Sequence, residues 1–277
     1  MMAGLLVLSL PTGAIVIRHD VDDRQYHATL DDFPALASLY KVGAHGTLIH
    51  PNWVLTAAHT IFCVAPGSKI MVGDQLVEVA DRYAHSDYKL EGSADIALIR
   101  LKQPVEGGAP AKLQRQNDEK DQVAWFIGAG ATGNGVDGET ISYEANAGQL
   151  RMAQNRVELA MGRDLYFRFD QGDKALPLEG SAGNGDSGGP AFQRVGDEFI
   201  LLGVSSRIKV FGSQQGAQAA GKYGAGVVYT RVSHYADWID LMITSPEPLR
   251  RQLSTQRRFL QNNVIEREEE VCSSIRY

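Results

Sequence analysis

The chain has 277 residues, of which 44% are hydrophobic and 22% are charged, and its net charge at pH 7 is −6. This composition is that of a globular protein with one large β domain or two smaller lobes. Because the net charge is negative, the composition does not favour nucleic acid or an anionic membrane surface as a partner. The 29 glycines favour many short strands and tight turns over a helical bundle.

Residues 1–17 carry no charge, and their apolar part is followed by the small, turn-prone segment Pro11–Ala14. This pattern is typical of the end of a secretory signal peptide cut after Ala14, and it predicts a secreted or periplasmic protein. The basic residues that usually open such a peptide are missing, since Arg18 is the first positive charge. A first β-strand is therefore the alternative. A membrane-spanning helix is not expected, because the apolar stretch is too short.

Alternating apolar residues predict half-buried antiparallel strands along most of the chain. The first is a hairpin around His50–Asn52, and we expect His45 and His50 to be surface or turn histidines. Further strands are predicted at 69–73, 75–80, 123–130, 165–169, 199–205 and 226–232. Residues 235–242 have apolar side chains at i, i+3, i+4 and i+7, which predicts an amphipathic helix.

The two cysteines, Cys63 and Cys272, are too few for a disulfide framework. A bridge between them is one interpretation. The other, which the sequence favours, is a buried Cys63 and a free thiol in the tail. The fold is then expected to be held by core packing.

The segment Gly183–Pro190 reads Gly-Asn-Gly-Asp-Ser-Gly-Gly-Pro, and it cannot lie inside a helix or strand. Glycine frees the backbone to take positive φ, and proline then ends any regular structure. Such a turn can present the Ser187 hydroxyl while two backbone N–H groups converge on one point. Converging N–H groups stabilise a developing oxyanion. A serine hydroxyl alone is a poor nucleophile, so this hypothesis needs a base and a group to orient it.

Both are found upstream, in Thr56–His59 after an apolar run and in Asp95, which opens a strand-like run. Taken singly, these residues are better explained as a histidine after a strand and an acidic strand cap. Thr-Ala-Ala-His, Asp-Ile-Ala-Leu and Gly-Asp-Ser-Gly-Gly-Pro, in this order, resemble the chymotrypsin/trypsin-like serine proteases. The resemblance covers roughly Ile15–Ile243. Thr60 stands where animal members usually carry a cysteine, so the chain resembles the disulfide-poor, bacterial-type members.

The resemblance implies an all-β fold of two antiparallel six-stranded β-barrels with a C-terminal helix. It places the protease domain at 15–244, after a signal peptide at 1–14, with the boundary between the two lobes near 103–122. The polar tail 245–277 lies beyond it and is expected to be disordered or helical.

The resemblance also implies the chemistry. Ser187 would attack a carbonyl carbon and form an acyl-enzyme, with His59 as general base and then general acid. Asp95 would orient the imidazole, and the N–H groups of Gly185 and Ser187 would form the oxyanion hole. Ser205 resembles the serine that backs the triad aspartate. No cofactor or metal is required.

Specificity follows from positions near the nucleophile. Ser181 corresponds to the base of the primary pocket, where an aspartate would select Lys or Arg, so trypsin-like cleavage is disfavoured. The pocket walls include Ser206, Arg207 and Val227. Val227 would narrow the pocket for small or medium apolar residues, whereas an inward-pointing Arg207 would favour an acidic residue.

Cleavage after Ala14 would expose Ile15, whose ammonium group pairs in this family with the aspartate before the nucleophile, here Asp186. The alternative is that other backbone or side-chain donors satisfy Asp186 and no activation step exists.

The expected partners are a protein or peptide substrate and, as a further candidate, a protein inhibitor, with the protease itself a monomer. One rival hypothesis is a catalytically silent binding module, against which the intact His59, Asp95, Ser187 and Gly185 argue. A second is a hydrolase of esters or small amides. The α/β-hydrolase motif, with histidine last in the chain, is not present.

Overall fold

The computed structural model describes residues 14–89, 93–209, 220–255 and 268–277. Residues 1–13 of the predicted signal peptide and residues 256–267 of the tail lie outside this set. The strands are β1 Ile15–Ile17, β2 Leu36–Ser38, β3 His45–His50, β4 Trp53–Thr56, β5 Lys69–Val72, β6 Gln75–His85, β7 Ala97–Leu101, β8 Lys112–Leu113, β9 Val123–Gly128, β10 Thr132–Asn134, β11 Gly138–Ile141, β12 Arg151–Met161, β13 Asp164–Arg168, β14 Gly180–Ser181, β15 Pro190–Val195, β16 Glu198–Lys209, β17 Gly226–Arg231 and β18 Ser254–Thr255. The helices are α1 Tyr143–Asn146, α2 Val232–Thr244, α3 Glu247–Gln252 and α4 Glu268–Ile275.

The first lobe is a closed antiparallel barrel of six strands in the order β6–β5–β2–β3–β4–β7, with β7 pairing back to β6. The predicted hairpin is confirmed, since His50 pairs with Trp53 across the turn between β3 and β4. The apolar faces of these strands point inward, and Leu48, Val54 and Leu98 are completely buried there. Burying this face supplies most of the driving force for closing the barrel.

The second lobe is a matching barrel of six strands in the order β9–β12–β13–β17–β16–β15, closed by the pairing of β15 with β9. Its centre is a cluster of aromatic rings. Phe126 packs edge-on to Phe167 at 4.9 Å between ring centroids and stacks on Tyr229 at 4.8 Å. The predicted fold of two six-stranded antiparallel barrels with a C-terminal helix is confirmed.

The longest strands run past their predicted ends. β6 continues to His85, and β16 continues to Lys209. In each, the pairing register shifts partway, after Val79 in β6 and after Ser205 in β16. Such bulges bend a strand so that it can turn the corner of a barrel. The alternation of apolar residues breaks at the bulge, which is why the sequence pattern predicts shorter strands.

A small third sheet, β11–β10–β1–β14, places the start of the described chain beside Ser181, six residues before Ser187. β1 runs parallel to β10 and antiparallel to β14, where Val16 pairs with Ser181. Ile15–Ile17 thus forms a strand that begins directly after the predicted cleavage point, and this fits both interpretations of residues 1–17.

The segment between the lobes is fixed by a buried ion pair. The Glu119 carboxylate is fully buried and accepts hydrogen bonds from Arg231 Nε at 3.0 Å and from the Ser233 hydroxyl at 2.5 Å. Arg231 and Ser233 flank the first residue of α2, so the ion pair joins the segment between the lobes to the C-terminal helix. A buried charge is tolerated only when it is paired and hydrogen-bonded.

Cys63 and Cys272 form a disulfide with their Cα atoms 5.2 Å apart, so the favoured interpretation of two free thiols is wrong. The residues are 209 positions apart in the chain. Their contact depends on the tail folding back over the first barrel, which no local pattern encodes. The Lys41 N–H also donates to the Ile275 carbonyl at 2.9 Å.

Glu119→Ala should lower the free energy of unfolding by about 3–5 kcal/mol, because it leaves Arg231 buried without its partner. Glu198→Ala is the matched control, since it removes an exposed partner of Lys112 and should cost less than about 1 kcal/mol. Urea unfolding of the two variants measures both. Equal, small losses would show that the Glu119 pair does not stabilise the fold.

Candidate active site

The pairing of β4 with β7 brings His59 to Asp95. In this antiparallel pair the last residue of β4, Thr56, lies opposite the first residue of β7, Ala97. Residues just after β4 and just before β7 therefore meet at one end of the barrel. His59 lies in a 3₁₀ turn, Ala58–Cys63, that begins two residues after β4.

Asp95 holds His59 with both carboxylate oxygens. His59 Nδ1 lies 2.8 Å from Oδ2, and the His59 backbone N–H donates to Oδ1 at 3.0 Å. Asp95 is buried, which opposes its ionisation, but its electrostatic interaction with His59, together with hydrogen bonds from His59 and from a serine hydroxyl, lowers the pKa of its carboxyl. The carboxylate is thus kept ionised and fixes the orientation of the imidazole.

That hydroxyl comes from Ser206 and not from Ser205. Ser206 Oγ donates to Asp95 Oδ2 at 2.6 Å, whereas the side chain of Ser205 hydrogen-bonds Tyr229. The register shift in β16 lies between Ser205 and Arg207, and it turns the neighbouring side chain towards Asp95. The assignment of Ser205 as the residue that backs the aspartate is therefore corrected to Ser206.

The Ser187 turn is tied to the first barrel through its carbonyl groups. The Gly185 carbonyl accepts the N–H of Ala44 at 2.7 Å, and the Ser187 carbonyl accepts the N–H of His45 at 2.7 Å. Among the described residues, the N–H groups of Gly185 and Ser187 donate to no acceptor. These are the two N–H groups that the sequence predicts for the oxyanion hole.

Two glycines make this turn sterically possible. Gly185 and Gly188 have φ of +90° and +77°, values that strain any residue with a Cβ. A Cβ on Gly188 would lie 2.3 Å from the His45 carbonyl oxygen. The turn therefore depends on glycine at both positions.

His59 and Ser187 line the same cleft, which has a volume of about 600 Å³. No hydrogen bond joins the two side chains in the described structure. Catalytic hydrogen bonds in enzymes without a bound substrate are often long and shorten when the substrate binds. Because Asp95 occupies Nδ1 of His59, Nε2 is the nitrogen that remains for the serine hydroxyl.

Asp186, between the two free N–H groups, is buried behind the turn. Its carboxylate accepts the N–H of Gly130 at 2.7 Å and that of Gly183 at 2.9 Å. Burial raises the pKa of this carboxyl to about 7, against the effect of these two donors and of the nearby backbone N–H of Ile15. The backbone at the start of β1 therefore lies near Asp186.

His45 is buried against Asp186, so the expectation of a surface or turn histidine is wrong for it. Its Nε2 accepts the N–H of Ala129 at 3.0 Å and lies 3.9 Å from Asp186 Oδ1. Its Nδ1 is buried without a partner among the described residues. Burial lowers the pKa of His45 to about 4, so the ring is neutral at pH 7. The alternation of side chains along β3 puts His45 on the same face as the buried Thr47, and this pattern could have predicted that His45 is buried.

Of the predicted specificity residues, Arg207 and Val227 lie on the neighbouring strands β16 and β17 of the second barrel, whereas Ser181 lies on β14 of the small sheet. Ser181 is buried, and its hydroxyl lies 3.3 Å from the Ala182 carbonyl. Val227 is buried on β17 between Phe167 and Ile208 of the flanking strands. The Arg207 guanidinium donates to Asp164 at 2.6 Å, so its charge is paired.

Within the described ranges, no three His, Cys, Asp or Glu side chains are grouped so that they could hold a metal ion. No helix in those ranges is both long and apolar enough to cross a membrane.

The buried, neutral His45 should make the fold less stable in acid. Its pKa is about 4 when folded and 6.5 ordinarily, so between these values the unfolded chain binds more protons and stability falls as the pH falls. Relative to His45→Gln, we expect the wild type to lose about 3 kcal/mol of unfolding free energy between pH 7 and pH 4. Urea unfolding across this range measures it, with the exposed His50→Gln as control. Parallel curves for wild type and His45→Gln would contradict a buried neutral ring.

Comparison with known proteins agrees with this geometry. The family model described as Trypsin matches residues 23–239. A tryptase from Mus musculus is 30% identical over 224 residues, which cover 70% of this chain and 76% of the tryptase. An ovochymase from Halocynthia roretzi is 30% identical over 225 residues, which cover 70% of this chain but only 13% of that much longer protein. The chain therefore belongs to the trypsin family, and it is a serine-type endopeptidase with the chymotrypsin fold.

Proposed function

We propose that His59, Asp95 and Ser187 form the catalytic triad and that the N–H groups of Gly185 and Ser187 form the oxyanion hole. The observation that carries the proposal is the contact between Asp95 and His59, in which His59 Nδ1 lies 2.8 Å from the carboxylate. His59 lines the same cleft as Ser187. This arrangement fixes the tautomer in which Nε2 is free to act as a base.

In the proposed reaction, Ser187 Oγ attacks the carbonyl carbon of the scissile peptide bond while His59 Nε2 takes its proton. The oxyanion that forms accepts hydrogen bonds from the N–H groups of Gly185 and Ser187. Asp95 stabilises the imidazolium, which then gives the proton to the leaving amine. Water attacks the acyl-enzyme by the same steps, and Ser187 is regenerated.

For the residue before the scissile bond, we propose a small or medium apolar side chain. Ser181 carries no negative charge to select Lys or Arg, and Val227 narrows the space beside it. The ion pair of Arg207 with Asp164 removes the reason for an acidic preference. The acidic residue two positions before Ser181, Glu179, is buried, and its carboxylate accepts the N–H groups of Leu176 and Asp170, so we do not expect it to supply a charge to the pocket.

We also propose that the protein is exported and cut after Ala14. The Cys63–Cys272 disulfide supports an oxidising compartment, since such bridges rarely persist in the cytosol. Ile15 has φ of +61°, a strained value for a β-branched residue, and its backbone N–H lies near the Asp186 carboxylate. A cut there would relieve the strain and replace the amide by an ammonium group that pairs with the buried carboxylate.

The test is the intact mass of the exported protein after treatment with a fluorophosphonate, beside the variants Ser187→Ala and His59→Ala. We expect one covalent adduct on the wild type, none on Ser187→Ala, and a loss of peptide hydrolysis on the order of 10⁶-fold in His59→Ala. The same spectrum gives the first residue of the mature chain. No adduct on a folded chain that begins at Ile15 would overturn the proposal and favour the silent binding module.

A further inference from the structure

The end of the chain forms one side of the catalytic cleft. Ser274 and Ile275, at the end of α4, line the same 600 Å³ cleft as His59 and Ser187. The other walls include Phe62 of the 3₁₀ turn that carries His59, and Tyr143 and Glu144 of α1.

This terminal segment is held in place by a disulfide and by hydrogen bonds to the first barrel. Cys272 is fully buried in its disulfide with Cys63, which lies in the 3₁₀ turn that carries His59. The Ile275 carbonyl accepts the N–H of Lys41 at 2.9 Å, and Arg276 Nε donates to the Cys63 carbonyl at 2.7 Å. Ile275 also packs against the core of the first barrel. The segment is therefore a fixed wall, attached to the same turn as the proposed base.

The cleft lies on the leaving-group side of Ser187, if the proposed function holds. The predicted walls and base of the primary pocket, Ser181, Arg207 and Val227, are not among its lining residues. When a peptide is bound across Ser187, the residue before the scissile bond occupies that pocket. The residues after the scissile bond must therefore lie on the other side of Ser187, next to His59. His59 must also reach the leaving amine in order to protonate it. The residues after the scissile bond therefore enter the cleft that Ser274 and Ile275 line.

We propose that the disulfide-anchored segment Cys272–Tyr277 is a wall of the leaving-group subsite, and that this subsite binds a large apolar side chain of a peptide substrate. The proposal rests on the proposed function. Its chemical basis is the lining, in which Phe62, Tyr143 and Ile275 present apolar surface. Burying an apolar side chain against such surface is favourable in proportion to the area removed from water.

The same lining disfavours an acidic residue. Glu144 faces the cleft, and hydrogen bonds from Ser142 and Tyr143 lower the pKa of its carboxyl, so it is negatively charged at neutral pH. A like charge brought beside it is repelled. A peptide with leucine after the scissile bond should thus be preferred to one with aspartate there.

Two adjacent serines of α4 provide a matched test. Ser273 and Ser274 are both exposed, and each hydroxyl bonds a carbonyl three residues earlier in the helix, but only Ser274 lines the cleft. Ser274→Trp and Ser273→Trp therefore lose the same kind of hydrogen bond and gain the same bulk. The readout is kcat/KM for two substrates with the same acyl part, a peptide with leucine after the scissile bond and a thioester with a small leaving group.

We expect Ser274→Trp to lower kcat/KM for the peptide at least about 10-fold and to leave the thioester within about 2-fold, with Ser273→Trp close to wild type on both. The double variant Cys63→Ala/Cys272→Ala, which frees the segment, should cut the preference for leucine over aspartate several-fold and keep thioester hydrolysis.

Equal peptide rates in the two tryptophan variants, with the thioester hydrolysed normally, would overturn this inference and leave the proposed function intact. An unchanged leucine preference in the double variant would overturn it as well. A wild-type protein that neither hydrolyses the thioester nor takes the fluorophosphonate would overturn the proposed function, and this inference with it.

Discussion

The hydrogen bonds to one buried carboxylate determine the geometry of the turn that carries Ser187. Asp186 is buried behind Ser187 and accepts the N–H groups of Gly130 and Gly183. An unpaired charge at such depth costs on the order of several kcal/mol, so the turn and its donors must keep one arrangement. In that arrangement the N–H groups on either side of Asp186 remain free to stabilise an oxyanion. Gly128 and Gly130 leave room for the carboxylate because they have no Cβ; a Cβ on either residue would lie within 2.6 Å of a carboxylate oxygen.

Asp95 plays a corresponding role between the two barrels. Its carboxylate holds His59 from the first barrel and accepts the hydroxyl of Ser206 from the second, while Thr230 donates to its carbonyl at 2.8 Å. The contact that orients the proposed base is therefore also a contact between the lobes. The disulfide between Cys63 and Cys272 links the segment after Glu268 to the 3₁₀ turn that carries His59. Orientation of the base, closure of the lobes and shape of the cleft are thus coupled through a few buried groups.

The sequence was informative wherever the signal was local. Period-two alternation predicts many of the strands, although it missed β12 (Arg151–Met161). The spacing of apolar residues predicts α2, and short motifs single out His59, Asp95 and Ser187. It failed where the outcome depends on distant parts of the chain. A one-residue bulge in β16 turns Ser206, and not Ser205, towards Asp95, and only the pairing of β16 with β17 reveals this bulge. The partners of His45 and Cys272 lie more than 80 residues away in the chain, so neither burial nor bridging could be predicted.

The central claim is that the buried Asp186 carboxylate holds the oxyanion-hole donors in place, and Asp186→Asn tests it most directly. Asparagine has nearly the same shape but lacks the charge, and one of its two polar atoms is a donor that would face the backbone N–H groups. The measurement is the second-order rate of phosphonylation of Ser187 by a fluorophosphonate, with near-UV circular dichroism to confirm that the barrels remain folded. We predict a fall of about 100-fold or more, the size expected for losing one oxyanion-hole donor. A folded variant that reacts at the wild-type rate would contradict the account.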